Sequence, residues 1–157
     1  MTESKYYLKN WKRWKRTVQL LEATKDDLKD MKKGLPVGSD TMPGGSHKAV
    51  DKKINEIIER CEEYDEVIAK YNFLISHLEN AIVMLLDEDL KEACMIYANN
   101  PNSSKKQVIK AIEVGLSERT YYNRLKEGTA LLDTVLNPCS NFAVKTAKND
   151  VKCYCGE

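Results

Sequence analysis

The sequence predicts an all-α protein in which a long antiparallel helical hairpin or coiled coil is followed by a C-terminal helix-turn-helix head. Three observations predict it. Apolar residues recur at helical spacing through two long segments, Gly and Pro gather in the short stretches between segments, and no segment reads as a β-strand. The chain has 157 residues, which is enough for one ordinary domain or for a small head on an extended stalk.

The first predicted helix covers residues 5–33. Its apolar side chains follow alternating four- and three-residue steps, so they form one stripe, with Lys25 filling the single gap. Gly34 and Pro36 end this helix, and residues 34–46, rich in Gly, Pro and Ser, are predicted to be a flexible loop. The stripe consists of Tyr7, Trp11, Trp14, Val18, Leu21 and Leu28.

The second predicted helix covers residues 47–86 and keeps the same rhythm for about five heptads, which is typical of a coiled coil. Residues 1–33 carry ten Lys/Arg and five Asp/Glu, whereas residues 51–92 carry five and twelve. Folding the two helices antiparallel therefore matches both the stripes and the charges. The second stripe is Val50, Ile54, Ile57, Cys61, Tyr64, Ile68, Tyr71, Ile75, Leu78, Ile82 and Leu85.

Further apolar side chains lie beside the second stripe and make it wider than a two-helix seam requires. The extra width predicts a bundle of more than two helices. Self-association supplies the additional helices, so we expect a homo-oligomer, a dimer or a tetramer, formed through residues 1–86. The flanking residues are Ile58, Val67, Leu74, Ala81 and Met84.

Residues 87–136 are predicted to form the head. Asp87 or Asp89 caps a helix at about 88–98, and the sequence NNPNSS at 99–104 forms a turn. Ser104 and Gln107 form a capping box for a short helix that Gly115 ends. The predicted inner side of this short helix is Val108, Ile109, Ala111 and Ile112.

After the turn, Leu116 is predicted to pack into the corner between the two helices, and Ser117 caps the second helix. Tyr121, Leu125, Leu132 and Val135 are its predicted inner face. A small Ala followed four residues later by Gly, then an apolar residue and a new cap, is the pattern of a helix-turn-helix. Residues 137–157 lose this periodicity and are predicted to be a flexible tail.

The second helix of such a motif lies in the major groove of DNA and presents its outward side chains to base edges. Arg119 suits guanine and Asn123 suits adenine, while lysines reach phosphates. The sequence thus predicts binding to double-stranded DNA; the alternative is an ordinary helix pair with a solvated charged face. The predicted DNA-binding residues are Ser104, Lys105, Lys106, Ser117, Glu118, Arg119, Thr120, Tyr122, Asn123, Arg124 and Lys126.

The turn and second helix, GLSERTYYNRLKEG, resemble the C-terminal reader of the RinA/ArpU-like late-gene transcriptional activators of phages and mobile elements, which is similar to region 4 of sigma factors. The order of segments is also similar over about residues 5–136. The resemblance implies a regulator that activates late genes by binding promoter DNA and contacting host RNA polymerase.

The sequence has no run that could span a membrane and no signal peptide, so we expect a cytoplasmic protein in a bacterial host. It has no nucleotide-binding or metalloprotease motif, and His47 and His77 stand alone, so we expect no enzyme activity, cofactor or metal. Zinc binding by Cys139, Cys153 and Cys155 is disfavoured because paired ligands are missing.

A basic run surrounds Trp11 and Trp14. This run could bind phosphates or a polymerase surface. The favoured interpretation is that the two tryptophans belong to the apolar seam between the long helices and that the cations flank the seam and face the acidic helix. The run consists of Lys9, Lys12, Arg13, Lys15 and Arg16.

Two other functions are also compatible with the sequence. One is a phage DNA-packaging recognition subunit, a small terminase, which combines the same two elements but usually in the opposite order. The other is an interaction protein without DNA binding, such as an anti-activator. A ring of many subunits would favour the first, and failure to retain duplex DNA at low salt would favour the second.

Overall fold

The computed structural model describes residues 2–35 and 46–136, and the side chains of the second range from Ala49 onward. These residues form five α-helices and no strand, which confirms the all-α class. Most of the predicted loop at 34–46 and the whole predicted tail at 137–157 lie outside the described residues. The helices are α1 (Glu3–Gly34), α2 (Ser46–Leu85), α3 (Glu88–Asn99), α4 (Ser104–Glu113) and α5 (Glu118–Leu136).

The apolar stripes predicted for α1 and α2 lie on covered faces of these helices, since none of their members is exposed. The flanking apolar residues of α2 divide into two groups. Ala81 is buried and Leu74 half-buried, whereas Ile58, Val67 and Met84 are exposed. The heptad rhythm therefore identified the covered face of each long helix, but not how far that face extends around the helix.

The chain separates into two compact units. Of the described residues, one unit contains 2–14 together with 74–136, and we call it the composite unit; the other contains 15–35 and 46–73, and we call it the two-helix unit. The sequence had been divided at residue 86, with residues 1–86 assigned to oligomerisation and 87–136 to the head. In the structure, the first turns of α1 and the last turns of α2 are instead grouped with α3, α4 and α5.

The composite unit has a shared core to which all five helices contribute. Its core includes Leu8, Leu78, Leu90, Ala111 and Leu132, which are all nearly or completely buried. Burying apolar side chains from several directions at once is the dominant favourable term in folding, at roughly 25 cal/mol per Å². The first turns of α1, up to Trp14, are therefore a structural part of this unit.

Polar contacts fix the beginning of α1 within the composite unit. The backbone N–H of Ser4 donates to Asp133 Oδ1 at 2.9 Å, and its hydroxyl donates to the carbonyl of Thr129 at 3.0 Å. Further along, Trp11 Nε1 donates to Glu79 Oε1 at 3.0 Å. These bonds satisfy polar groups that α1 would otherwise leave buried without partners.

Helices α3 and α5 approach each other closely. The Asp87 side chain caps α3 by accepting a hydrogen bond from the Leu90 N–H at 2.9 Å. One turn later, Cys94 is fully buried opposite Gly128, where an added Cβ would lie only 2.7 Å from the Cys94 Sγ. Only glycine permits this contact, and burial raises the pKa of the Cys94 thiol to about 12.

The two-helix unit has a thinner core. Among its described side chains, Val18, Ile57 and Ile68 are the buried apolar residues. An ion pair joins Lys25 Nζ to Asp65, and this hydrogen bond raises the pKa of Lys25. Several large apolar side chains of this unit are exposed: Leu20, Met31, Ile58, Val67 and Phe73.

Candidate nucleic-acid interface

The residue that caps helix α4 lies one position earlier than predicted. The cap is Ser103, whose extended backbone lets its hydroxyl accept from the Lys106 N–H at 3.3 Å. Ser104, the predicted cap, is the first helical residue. The prediction of a box between Ser104 and Gln107 is therefore wrong, because two serines stand side by side and the backbone conformation selects the first.

Gln107 has a different part in the structure. Its side chain is buried, its amide Nε2 donates to the carbonyl of Asn100 at 2.7 Å, and its Oε1 accepts from the Tyr121 hydroxyl at 2.9 Å. These two bonds join the residue after α3, helix α4 and helix α5. Burial raises the pKa of Tyr121, so its hydroxyl stays protonated and can donate to Gln107.

The turn between α4 and α5 is built as predicted. Gly115 adopts a positive φ of 88°, which costs glycine little because it has no Cβ. The Gly115 N–H donates to the carbonyl of Ile112 at 3.0 Å, and the Leu116 N–H donates to the carbonyl of Ala111 at 2.8 Å. This pair of bonds is a Schellman motif, and Leu116 packs against the core as its accompanying apolar contact.

Helix α5 begins after Ser117, whose hydroxyl accepts from the Thr120 N–H at 3.2 Å, so the predicted cap is confirmed. Tyr121, Leu125 and Leu132 are buried as predicted. Val135 is 38 % exposed and does not belong to the inner face. The remaining buried residues of α5 are Gly128, Thr129 and Leu136.

The predicted inner side of α4 is correct only in part. Ala111 is fully buried and Val108 half-buried, but Ile109 is 46 % exposed and Ile112 is 62 % exposed. On this ten-residue helix the covered stripe runs through Gln107 and Ala111, which are four residues apart. The two isoleucines lie further around the helix and face outward.

Arg119, Asn123 and Lys126 share the face of α5 that points away from the core. All three are exposed. At roughly 100° per residue they fall on the side of the helix opposite Tyr121 and Leu125. A cation suited to guanine, an amide suited to adenine and a second cation thus stand together on one uncovered helix face.

The other predicted contact residues are distributed around this face. Thr120 is half-buried and bonded to the Ser117 hydroxyl, and Arg124 is half-buried, with its Nη1 3.6 Å from Asp89 Oδ1 of α3. Neither shares the outward face of Asn123. The rest of the predicted set is exposed, namely Ser104, Lys105, Lys106, Ser117, Glu118 and Tyr122.

The apolar stripe predicted for α1 does not include the residues that attach this helix to the composite unit. Ser4 and Leu8 are fully buried, although the predicted stripe starts at Tyr7. The available signal was the spacing of Ser4, Leu8 and Trp11, which places a second row on the same side of the helix. Because Ser4 is polar, a pattern defined by apolar residues alone does not include this row.

No group of three or more His, Cys, Asp or Glu side chains in the described part of the chain could hold a metal ion. The three cysteines weighed as zinc ligands, at positions 139, 153 and 155, lie outside the described residues. No helix within residues 2–35 and 46–136 is both long and apolar enough to span a membrane.

Comparison with known proteins gave no match. No family model fits the chain, and neither a curated protein nor a solved structure shows significant similarity to it.

Proposed function

We propose that this protein is a sequence-specific regulator of transcription that binds double-stranded DNA through α4, the turn and α5, used as a helix-turn-helix. The observation that carries the proposal is the outward face of α5, where Arg119, Asn123 and Lys126 stand together on a helix anchored from behind by Tyr121. The resemblance of the turn and α5 to RinA/ArpU-like activators makes late genes of a phage or mobile element the proposed targets, with host RNA polymerase as a second partner.

Reading bases requires a rigid helix, because hydrogen bonds to base edges depend on angles and on distances near 3 Å. Two features supply that rigidity here. The Schellman turn at Gly115 fixes the path of the backbone between the helices. The bonds from Tyr121 to Gln107 and from Gln107 to Asn100 hold α5 against α4. A fully satisfied buried network of this kind favours one arrangement over its alternatives.

In the proposed complex α5 enters the major groove with Arg119 and Asn123 near base edges. Lys126 approaches phosphate further along α5, while Lys105 and Lys106 do so from the start of α4. Arg124 is held by Asp89 and supports the packing of α5 on α3 rather than reading a base. Contacts to phosphate set the position, and contacts to bases select the sequence.

Self-association completes the proposal, because two heads bind two half-sites far more tightly than one head binds one. Support comes from the two-helix unit, where Leu20, Met31 and Phe73 are each more than 60 % exposed. The contact of Lys25 with Asp65 is consistent with the proposed antiparallel hairpin. Light scattering should give a dimer or tetramer; a monomer at high micromolar concentration would contradict it, and a large ring would favour the packaging function.

The test of DNA reading starts with selection of duplexes bound by the full chain from a random-sequence pool. Arg119→Ala and Asn123→Ala should then each lose about 1–3 kcal/mol of discrimination between the selected duplex and a scrambled one. Arg60→Ala and Asn72→Ala are matched controls, since both residues are exposed in the two-helix unit. Circular dichroism should report unchanged folding for all four variants.

A control for indirect effects is Tyr121→Ala, which removes a fully buried side chain. It should lower thermal stability, and its loss of binding should follow unfolding. If the Arg119 and Asn123 variants stay folded and discriminate as the wild type does, α5 does not read bases. If the wild type retains no duplex even at low salt, the protein is instead an interaction protein.

A further inference from the structure

A row of lysines runs along the first turns of α1. Lys5, Lys9 and Lys12 are spaced by four and three residues, which places them on one face of the helix. Lys9 and Lys12 are exposed and Lys5 is half-buried. Residues 4–14 contain no Asp or Glu, so the positive charge of this row is not balanced by neighbours on its own helix.

The sequence alone favours a different role for Lys9 and Lys12, as part of the flank of a seam that faces the acidic second helix. The composite unit does not support that role for these two lysines. The part of α2 in this unit, residues 74–85, contains a single carboxylate, Glu79. Its Oε1 accepts a hydrogen bond from Trp11. Most of the acidic residues of α2 belong to the other unit.

A second pair of lysines, Lys106 and Lys110, lies one turn apart on α4, and Lys110 lines the same cavity as Lys12 of the first row. Lys12 and Lys110 both line a cavity of about 440 Å³ within the composite unit. We call this cavity the α1–α4 groove. Its other lining residues are Glu92, Met95, Ile96, Asn99, Asn100 and Val114.

The charges in the α1–α4 groove are accessible to a ligand. Lys12 is exposed, and Lys110 keeps more than half of its side chain in solvent although its Nζ lies 3.0 Å from Glu113 Oε2. An ion pair with both side chains exposed is weak, so a stronger anion can replace Glu113. Glu92 is the one carboxylate among the lining residues.

We propose that the α1–α4 groove and the Lys5–Lys9–Lys12 row bind the phosphate backbone of the same DNA that α5 reads. This inference rests on the proposed function and extends the DNA-binding surface to the N-terminal helix. A linear series of lysines suits a polyanion, because the ammonium group is a compact charge that contacts phosphate without demanding one orientation. The row, the groove and α5 all belong to one compact unit.

The test uses the dependence of affinity on salt. Each phosphate contact adds roughly 0.9 to the negative slope of log K against log salt, because it releases condensed counterions. The triple variant Lys9→Gln, Lys12→Gln, Lys110→Gln should therefore lower that slope by about 2–3 for one fixed fluorescent duplex. Its control is Lys29→Gln, Lys52→Gln, Lys53→Gln, which removes the same charge from exposed positions of the two-helix unit.

A second variant is expected to increase duplex affinity, a result that misfolding would not produce. Glu92→Gln removes the carboxylate from the groove and should strengthen duplex binding a few-fold at low salt. A slope equal to that of the wild type in the triple variant, or an equal fall in the control, would overturn the inference while leaving the reading helix in place. So would an unchanged duplex affinity with lost binding of polyglutamate, which would assign the groove to an acidic protein. A wild type that binds no duplex would overturn the proposed function as well.

Discussion

Both units of this chain contain parts of the long helices α1 and α2, but the two units differ in how completely the side chains of these helices are buried. In the composite unit, segments of all five helices contribute to a shared core, and the largest fully buried side chains, Tyr121, Leu8, Leu78 and Leu132, all lie there. In the two-helix unit the described buried residues are Val18, Ile57 and Ile68, each still 8 % exposed.

The difference shows what the number of neighbouring helices does. A helix next to one partner can cover a single stripe, whereas a helix inside a group of several is covered over a wider arc. The heptad rhythm is the same in both units, so it does not distinguish them. The free energy of folding that α1 and α2 contribute is therefore expected to be concentrated in their end segments, residues 3–14 and 74–85.

The largest expected effect is the loss of a side chain from the shared core. Leu8→Ala should lower the free energy of unfolding by about 2–5 kcal/mol, because Leu8 is fully buried. Leu20→Ala is the matched control on the same helix, since Leu20 is 67 % exposed in the two-helix unit; it should change stability by less than about 0.5 kcal/mol. Denaturant titration followed by circular dichroism measures both, and equal losses would mean that α1 is no part of the core.

The next effect concerns close packing. Gly128→Ala should destabilise the protein by about 1–3 kcal/mol, because its new Cβ would meet Cys94 Sγ at 2.7 Å. Combining it with Cys94→Ala should cost less than the sum of the single changes. Gly34→Ala at the end of α1 meets nothing within 4 Å and should be neutral or slightly stabilising. Additive losses in the double variant would contradict this contact.

The pH dependence of stability should also reflect the buried core. Because burial raises the pKa of Cys94 to about 12, the folded state keeps a proton that the unfolded chain loses near pH 8.5. Stability should then be highest below that pH and fall by up to about 1.4 kcal/mol per pH unit between it and pH 12. Cys94→Ala should remove this part of the decline; an unchanged pH profile would show that the thiol does not cause it.

The smallest effect is expected for the ion pair of the two-helix unit. Lys25→Gln and Asp65→Asn should each change stability only slightly, because the Asp65 side chain is 57 % exposed to solvent. A double-mutant cycle in low and high salt measures the coupling, which should be small and should weaken with salt. A large coupling that salt does not weaken would mean that the pair is more shielded than its exposure indicates.

The proposed interface illustrates which local features a sequence can specify. The turn at Gly115, the cap at Ser117 and the buried Tyr121 were predicted correctly, because a positive φ, a side-chain cap and an apolar anchor depend on residues a few positions apart. The sequence did not identify which serine caps α4, Ser103 or Ser104. Either hydroxyl can cap a helix, and only the backbone conformation decides between them.

The orientation of individual side chains in the head is predicted less well from the sequence. Ile109, Ile112 and Val135 are predicted on inner faces but are exposed, while Gln107 is predicted in a cap but is buried. On the ten-residue α4 the apolar residues cover a broad arc, and only part of that arc is covered by other helices. Which side is covered depends on where the neighbouring helices lie, as the bond from Gln107 to Tyr121 illustrates.

By itself, the sequence determined the helical class, the approximate bounds of all five helices, the covered stripes of α1 and α2, and the turn between α4 and α5. Each of these depends on the 3.6-residue period or on contacts within a few residues. Only the tertiary structure decided that residues 2–14 join the C-terminal helices, with Ser4 bonded to Thr129 and Asp133, and that Lys12 and Lys110 line the same groove. These pairs are about a hundred residues apart in the chain, where no local periodicity can specify which helices meet.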